Sequence, residues 1–480
     1  MPDYLNEHLA LQKQFLDTSR RVGSRARRRS RFLHREVDRL VAAQVAPDSR
    51  VIDVGCADGS TIAACSPLQA VGIDIDSEVL GQSAEENGAI EWLASPVEAV
   101  HAAPLEGPDY VILSMVLDEV YDAQPVLQQV HEWSEPDTRV VVVTYSRLWQ
   151  PLLRLAEFLR LKVKKPHESY LPRQEVENLL ELAGFETTKR QDGVLLPVWI
   201  PLVSRFANRW LAPLPLLRSL CLIRVTVARP VRLREADVES VSVVIAARNE
   251  AGHIRELVDR IPRLAPRQEV IFVEGGSTDD TWDKIQEEVQ RPSKCEGETV
   301  IALKQTGKGK GDAVRAGFAA ASGDVLMILD ADISVPPEEL PRFVQALGSD
   351  ACEFANGSRL VYPMEEKAMR FLNILGNKFF GSLFTFLLGQ PVRDTLCGTK
   401  VLWREDYERI AANRTRLGDF DPFGDFDLLF GASALGLRIR DIPVHYKERT
   451  YGETNISRFR HGLMLIRMAS FAATKIKFVG

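Results

Sequence analysis

The chain has 480 residues, 45% of them hydrophobic and 26% charged, a composition that excludes disordered, collagen-like and small disulfide-stapled proteins. At about 150 residues per domain the length points to two or three domains, each able to bury a core. The formal net charge of −6 excludes a polyanion binder acting over its whole surface, so no nucleic-acid partner is expected and any basic patch must be local.

The six cysteines (Cys56, Cys65, Cys221, Cys295, Cys352, Cys397) show no CxxC spacing, which fits a reducing compartment and argues against structural zinc. Met1–Asp17 lacks an apolar leader and no run reaches 18 uncharged apolar residues, so neither a signal peptide nor a transmembrane helix is expected.

Residues 1–45 read as a basic helical arm. Nine arginines from Arg20 to Arg39 face only Glu36 and Asp38, a net of +7. Such a stretch is either a solvated helical face or an attachment to anionic lipid, each basic residue adding about 1 kcal/mol near a membrane surface. From 46 to 230 the pattern is strand, turn, helix, repeated: Arg50–Val54, Val71–Ile75, Tyr110–Ser114 and Arg139–Thr144 are short apolar runs. Strands alternating with helices predict a parallel sheet covered on both faces. The proline-rich apolar stretch Leu195–Arg229 closes this unit, and 231–240 is the linker. A second α/β series occupies 241–480, with strands at Val241–Ala246, Val270–Glu274, Val300–Lys304 and Val325–Leu329. The expected fold class is α/β, with two doubly wound domains.

In the first series the strand Val51–Val54 runs into Gly55-Cys56-Ala57-Asp58-Gly59. Small residues after a strand admit a ligand to the backbone, and the following helix offers free N–H groups. A dinucleotide turn would read GxGxxG. Here Asp53 lies just ahead of the turn, where its charge would repel a pyrophosphate and suit a cationic amino acid. Asp74 ends the next strand, placed for a ribose diol, with Asp76 as competitor. Asp53, Gly55, Gly59 and Asp74 are the candidate cofactor residues. Asp118, Glu119 and Tyr145 lie near the strand ends where an acceptor would enter, although exposed acids on such loops are mostly solvated. Over about Ser49–Val143 these residues resemble class I S-adenosylmethionine-dependent methyltransferases, departing at Ala57, where glycine is commoner. The resemblance implies a Rossmann-like methyltransferase fold, S-adenosylmethionine as cofactor, and Val97–Glu98 near the adenine edge.

The second series carries more spaced elements. Val241–Ala246 leads to Asn249-Glu250, and the next strand ends in Glu274-Gly275-Gly276. A strand-end carboxylate can accept from a nucleobase N–H while glycines admit the ring. Gly307-Lys308-Gly309-Lys310-Gly311 opens a helix and suits a diphosphate, with Lys308 and Lys310 as its cations. Asp330-Ala331-Asp332 follows a buried strand; two carboxylates one residue apart can face one hard cation, Mg²⁺ or Mn²⁺.

Together, Val241–Lys447 resembles family 2 glycosyltransferases of the GT-A fold, in their polyprenyl-phosphate branch. That resemblance implies a nucleoside-diphospho-sugar donor, with Glu250 and Glu274 toward base and ribose. It implies metal held by Asp330 and Asp332, with Ser334 where a third ligand often stands. Glu274-Gly275 replaces the usual aspartate pair. Gly357-Ser358-Arg359, Arg370, Asn373, Asp394 to Lys400 and Arg449 to Thr454 follow the branch's order, and Arg359, Arg370, Lys400 and Arg449 would clamp a polyprenyl phosphate. The apolar Phe379–Leu388 either rests in the membrane interface or packs as core. For a soluble hydroxyl acceptor instead, Asp425 or Asp427 would be the base. The expected location is the cytoplasmic face of a membrane, held peripherally; relic pockets on a scaffold are the reading from another class. Glucose, mannose and N-acetylated sugars, and uridine and guanosine donors, are equally compatible.

Overall fold

A computed structural model of the protein describes residues 10–12, 14–15, 24–86, 90–159, 162, 164–165, 168–231, 237–294, 296–362, 371–414, 426–447 and 458–478. The chain divides into two compact units, Met1–Arg232 with Ile476–Gly480, and Leu233–Lys475.

The first unit is built on a seven-stranded sheet of order β3-β2-β1-β4-β5-β7-β6. Its strands are β1 (Arg50–Val54), β2 (Gln69–Asp74), β3 (Ile90–Ala94), β4 (Tyr110–Ser114), β5 (Arg139–Tyr145), β6 (Phe185–Gly193) and β7 (Ile223–Pro230). β1 to β5 are mutually parallel, and β7 runs antiparallel to both β5 and β6. The central strands are β-branched runs buried on both faces: Val111, Ile112 and Val140 to Val143 are fully inaccessible. Three strands differ from the sequence expectation. β3 is half exposed and carries Glu91 and Trp92, and β6 is an edge strand reading Thr-Thr-Lys-Arg-Gln-Asp, so neither forms an apolar run. The expected closing stretch splits in two: Val194–Leu222 leaves the sheet and β7 re-enters it.

The described part of the arm is largely helical. Helix Ser24–Ala42 buries Val37, Leu40 and Val41, and a Cβ at Gly193 would lie 2.3 Å from Leu40 Cδ1. Its second half is core of the first unit, while Arg31 and Arg35 stay exposed.

The second unit has its own mixed sheet, order β10-β9-β8-β11-β13-β12-β14. The strands are β8 (Ser240–Ala247), β9 (Arg267–Glu274), β10 (Glu298–Lys304), β11 (Val325–Ile328), β12 (Phe354–Ser358), β13 (Lys400–Trp403) and β14 (Ile439–Pro443). β8 to β11 are parallel, and β13 is antiparallel to both β11 and β12. Val243, Val270, Phe272, Met327 and Phe343 centre its core. The apolar stretch from Phe379 belongs there too: Phe384 is inaccessible and stacks on Phe430 at 5.2 Å, so core packing accounts for most of it. Among the described residues no helix is long and apolar enough to cross a membrane.

Candidate functional sites

Parallel strands in register end together, so the loops that follow them share one edge of the sheet. In the first unit that edge gathers the turn after β1, Asp74 of β2, the segment after β4 and Tyr145 of β5. Gly55 and Gly59 both take φ +72°, which favours glycine. Their missing side chains have a second use. A Cβ at Gly55 would lie 2.5 Å from Val116, and one at Gly59 2.3 Å from the Trp92 ring, so the protein's own packing already demands both glycines.

Asp74 accepts from the backbone N–H groups of Ala57 and Asp76, each at 2.9 Å, and so ties the turn to the second strand. A carboxylate has about four acceptor positions, which leaves two for a diol. Asp53 is fully buried and neither of its carboxylate oxygens has a hydrogen-bond partner. Burial, with Asp74 and Asp38 nearby, pushes its carboxyl well above the ordinary range. This orphaned acid beside a glycine turn fits a cationic, donor-bearing cofactor of the S-adenosylmethionine kind.

At the acceptor side the acids are less solvated than expected. Asp118 is inaccessible, its Oδ2 accepts from Tyr145 N at 2.9 Å, and burial pushes its carboxyl up to about 8. Glu119 is paired with Lys165, and the Tyr145 hydroxyl is pushed up to about 12 by burial.

Asp118 makes stability depend on pH. The folded chain holds this proton far more tightly than an unfolded one, whose carboxyl titrates near ~3.9. The stabilisation is complete below the unfolded value and is lost as pH rises through about 8. Asp118→Asn keeps the acceptor for Tyr145 N and removes the titration. Its Tm should therefore fall less than the wild type's between about pH 5 and 9, the gap widening by several degrees. Parallel melting curves across that range would refute the assignment.

In the second unit the same geometry places Glu250 after β8, Glu274 at the end of β9, the lysine loop after β10 and Asp330 after β11 on one edge. The first two loops interlock. Asn249 N donates to Ser277 Oγ at 3.0 Å and Thr278 N to Asn249 Oδ1 at 2.8 Å. Glu250 is buried against His253 at 2.9 Å, and Glu274 accepts from Ser277 N. Lys308 is exposed, whereas Lys310 Nζ pairs with Asp330 Oδ1 at 2.7 Å. Asp312 secures the lysine loop by accepting from Gly307 N and from Gln305.

Burial would raise the Asp330 carboxyl, but Lys310, Arg359 and Lys400 together hold it below the ordinary range. Asp332 accepts from Ser334 N at 3.0 Å. Gly398 leaves the room this arrangement needs, since a Cβ there would lie 2.1 Å from Asp330 Oδ2. Among the described residues no three His, Cys, Asp or Glu side chains form a ready-made cage. Two hard carboxylates still fit Mg²⁺ or Mn²⁺ whose other positions go to phosphate oxygens and water.

Three residues expected to contact substrate have partners within the protein. Arg359 is buried and forks onto Asp394 at 2.8 and 2.9 Å, with Tyr446 beneath its guanidinium at 4.9 Å. Lys400 is fully buried and donates to the Cys397 carbonyl. Asp427 is buried and its Oδ2 accepts from Arg414 at 3.2 Å. Asp425, Arg370 and Arg449 lie outside the described residues.

The sequence named Asp394, Ser358, Thr395 and Thr399 only as motif positions, without a charge-organising role, and Tyr446 and Asn356 were not singled out. The oxygens of Asn356 Oδ1, Ser358, Asn377 Oδ1, Thr395 and Thr399 are buried without hydrogen-bond partners. Polar side chains spaced by two in the strand Phe354–Ser358 were the available signal.

Comparison with known proteins matches residues 242–411 to the family model Glycosyl transferase family 2 and residues 25–190 to the model Methyltransferase domain. Dolichol-phosphate mannosyltransferase of Pyrococcus furiosus is 30% identical over 45% of this chain and 59% of its own length. Undecaprenyl-phosphate 4-deoxy-4-formamido-L-arabinose transferase of Serratia proteamaculans is 27% identical over 47% of this chain and 65% of its own. The chain thus spans less than two thirds of either relative. Among solved structures, glucosyl-3-phosphoglycerate synthase from Mycobacterium tuberculosis, a complex with Mn²⁺ and uridine diphosphate, is 21% identical over 50% of this chain and 80% of its own, with a TM-score of 0.35.

Proposed function

We propose that this chain, a transferase that joins a methyltransferase domain to a family 2 glycosyltransferase domain, moves a sugar from a nucleoside-diphospho-sugar to a polyprenyl-phosphate lipid. The observation that carries the reading is Asp330 and Asp332 beside Lys310, Arg359 and Lys400 at the edge of a mixed sheet where its parallel strands end. The names of the relatives, which act on dolichol phosphate and undecaprenyl phosphate, support the acceptor class.

Asp330 and Asp332 would hold Mg²⁺ or Mn²⁺, which when bound neutralises charge on the diphosphate. Lys308 and the helix opening at Lys310 would cradle that diphosphate, while Glu250 and Glu274 approach the nucleoside. The acceptor is a phosphate monoester with a second pKa of about 6, so it is largely dianionic at pH 7 and needs no strong base. One of its oxygens forms the new bond to the anomeric carbon as the bond from that carbon to the diphosphate oxygen breaks. The electron pair leaves with the nucleoside diphosphate. Positioning and leaving-group stabilisation supply the rate. Asp427, engaged by Arg414, gives no support to a hydroxyl acceptor. The buried orphan Asp53 supports S-adenosylmethionine as the first unit's cofactor, and the arginine-rich arm supports peripheral attachment to anionic lipid at the cytoplasmic face.

Transfer from labelled uridine- and guanosine-diphospho-sugars to polyprenyl phosphate, with and without Mn²⁺ or Mg²⁺, tests this. Metal-dependent label in the organic phase is expected. Donor consumption with all label aqueous would overturn the lipid acceptor.

A further inference from the structure

The segment Val194–Leu222 of the first unit turns large apolar side chains to the surface while its backbone is tied up from within. Beside Val194, Ala207, Ala212 and Leu222 its interior holds two polar side chains. Buried Asn208 accepts from Leu196 N and donates to Leu196 O, at 2.8 and 2.9 Å. Buried Ser204 accepts from Ile200 N at 2.9 Å and donates to the Val198 carbonyl at 2.6 Å. Outside stand large apolar ones: Leu202 is 86% exposed, Leu216 87% and Phe206 56%, with Trp199 and Trp210 beside them. A surface whose backbone is satisfied internally while large apolar side chains point outward is costly in water and suited to lipid.

The surface is continuous with a second apolar element. Helix Gln150–Phe158 exposes Leu152 and Phe158, the latter at 82%, and Trp149 Nε1 at its start donates to Leu220 O at 2.7 Å. The charge is one-sided. Val194–Leu222 contains Arg205, Arg209 and Arg218 and no acid. Arg205 lies over the Trp199 ring and Arg209 over Trp210, at 5.3 and 5.5 Å. Phe32 of the arm meets Trp199 at 5.3 Å, which brings the exposed Arg31 and Arg35 to the same border. Cationic groups resting on indoles, beside aliphatic side chains, match the headgroup level of an anionic bilayer. The platform also belongs to the catalytic edge of the sheet. It joins the end of β6 to the start of β7, and Ile223 pairs with Tyr145 at the end of β5.

We propose that Val194–Leu222, together with helix Gln150–Phe158, is a monotopic platform that sets the methyltransferase unit on an anionic lipid surface with the open edge of its sheet toward the bilayer. A methyl acceptor would then arrive from the lipid side. The inference goes beyond the sugar-transfer reading and rests on the first unit alone.

The test is flotation of the full chain with vesicles of phosphatidylcholine, or of phosphatidylcholine containing phosphatidylglycerol. The wild type should float with the anionic vesicles, and Leu202→Glu combined with Phe206→Glu should cut the bound fraction at least ~10-fold, since a charge at an inserted site opposes insertion. These residues are exposed, so the variant should keep its melting temperature. Arg205→Gln with Arg209→Gln should weaken binding most at low salt. Wild-type binding retained in the double glutamate variant would overturn the proposal. So would a wild type that does not float and instead forms a dimer that the variant loses. Sugar transfer to detergent-dispersed polyprenyl phosphate separates the two ideas. The platform variant should keep it, whereas flotation without any transfer would remove the sugar-transfer reading and leave the platform standing.

Discussion

Asp330→Asn is expected to lower metal-dependent sugar transfer by about 10³-fold with the fold intact, because it removes a charge that develops its value only against a leaving diphosphate. The substitution conserves volume and keeps an oxygen for Lys310, which now sits 2.7 Å from Asp330. What disappears is the one carboxylate charge that Lys310, Arg359 and Lys400 hold ionised. Asp332→Ala should act similarly, with a small added cost from the lost bond to Ser334 N. Gly398→Ala reaches the same site from the other side, since its Cβ would force the Asp330 carboxylate away. Initial rates over a Mn²⁺ titration, with a melting curve for each variant, measure the effect. Activity within tenfold of wild type in Asp330→Asn would sink the metal assignment.

The second large effect is on stability. Arg359→Ala should destabilise the second unit by about 3–5 kcal/mol, the usual result of stripping one partner from a buried ion pair. Asp394 is inaccessible and sits under Arg359, Asn377 Nδ2 and Leu396 N. Burial alone would raise its carboxyl, yet Arg359 holds it down to about 2. Without the guanidinium that carboxylate must either protonate or be solvated, and the ring of Tyr446 loses the cation above it. A lower urea midpoint by far-UV circular dichroism is the expected reading. Arg359→Lys should recover only part of it, because an ammonium cannot fork. An unchanged midpoint with a raised KM for the lipid acceptor would return Arg359 to the acceptor clamp.

The parts of this molecule that could be read from sequence are those where one strand and the loop after it hold the whole signal. Val325–Ile328 followed by Asp330 and Asp332 is one such case, and β9 ending at Glu274 is another. An apolar strand must be buried, so an acid directly after it stands at the sheet edge. β3 and β6 escaped because neither reads as an apolar run: β6 carries Lys189, Arg190 and Asp192 although Lys189 is buried. The Arg359–Asp394 pair escaped for a different reason. Its members come from segments 35 residues apart, and nothing local distinguishes a buried arginine from an exposed one. The outward apolar side chains of Val194–Leu222 were hidden in the same way, since an apolar run reads as core until a structure shows which side it turns to water.

The reversal of β13 has a consequence for where this protein tolerates change. The parallel strands β8 to β11 deliver the residues that follow them to the active edge. β13 runs the other way, with Lys400 paired to Ile328 and Trp403 to Val325, so it delivers the residues that precede it. Gly398 therefore lies beside Asp330, while Arg404 lies at the opposite end of the sheet, donating to Gly323 O at 2.7 and 2.8 Å. An insertion of a few residues ahead of Lys400 would displace Gly398 and the room it leaves for the Asp330 carboxylate. The same insertion directly after Trp403 would enter at the far end of the strand, where Arg404 is held by Gly323 O, so one short strand separates a sensitive side from a tolerant one.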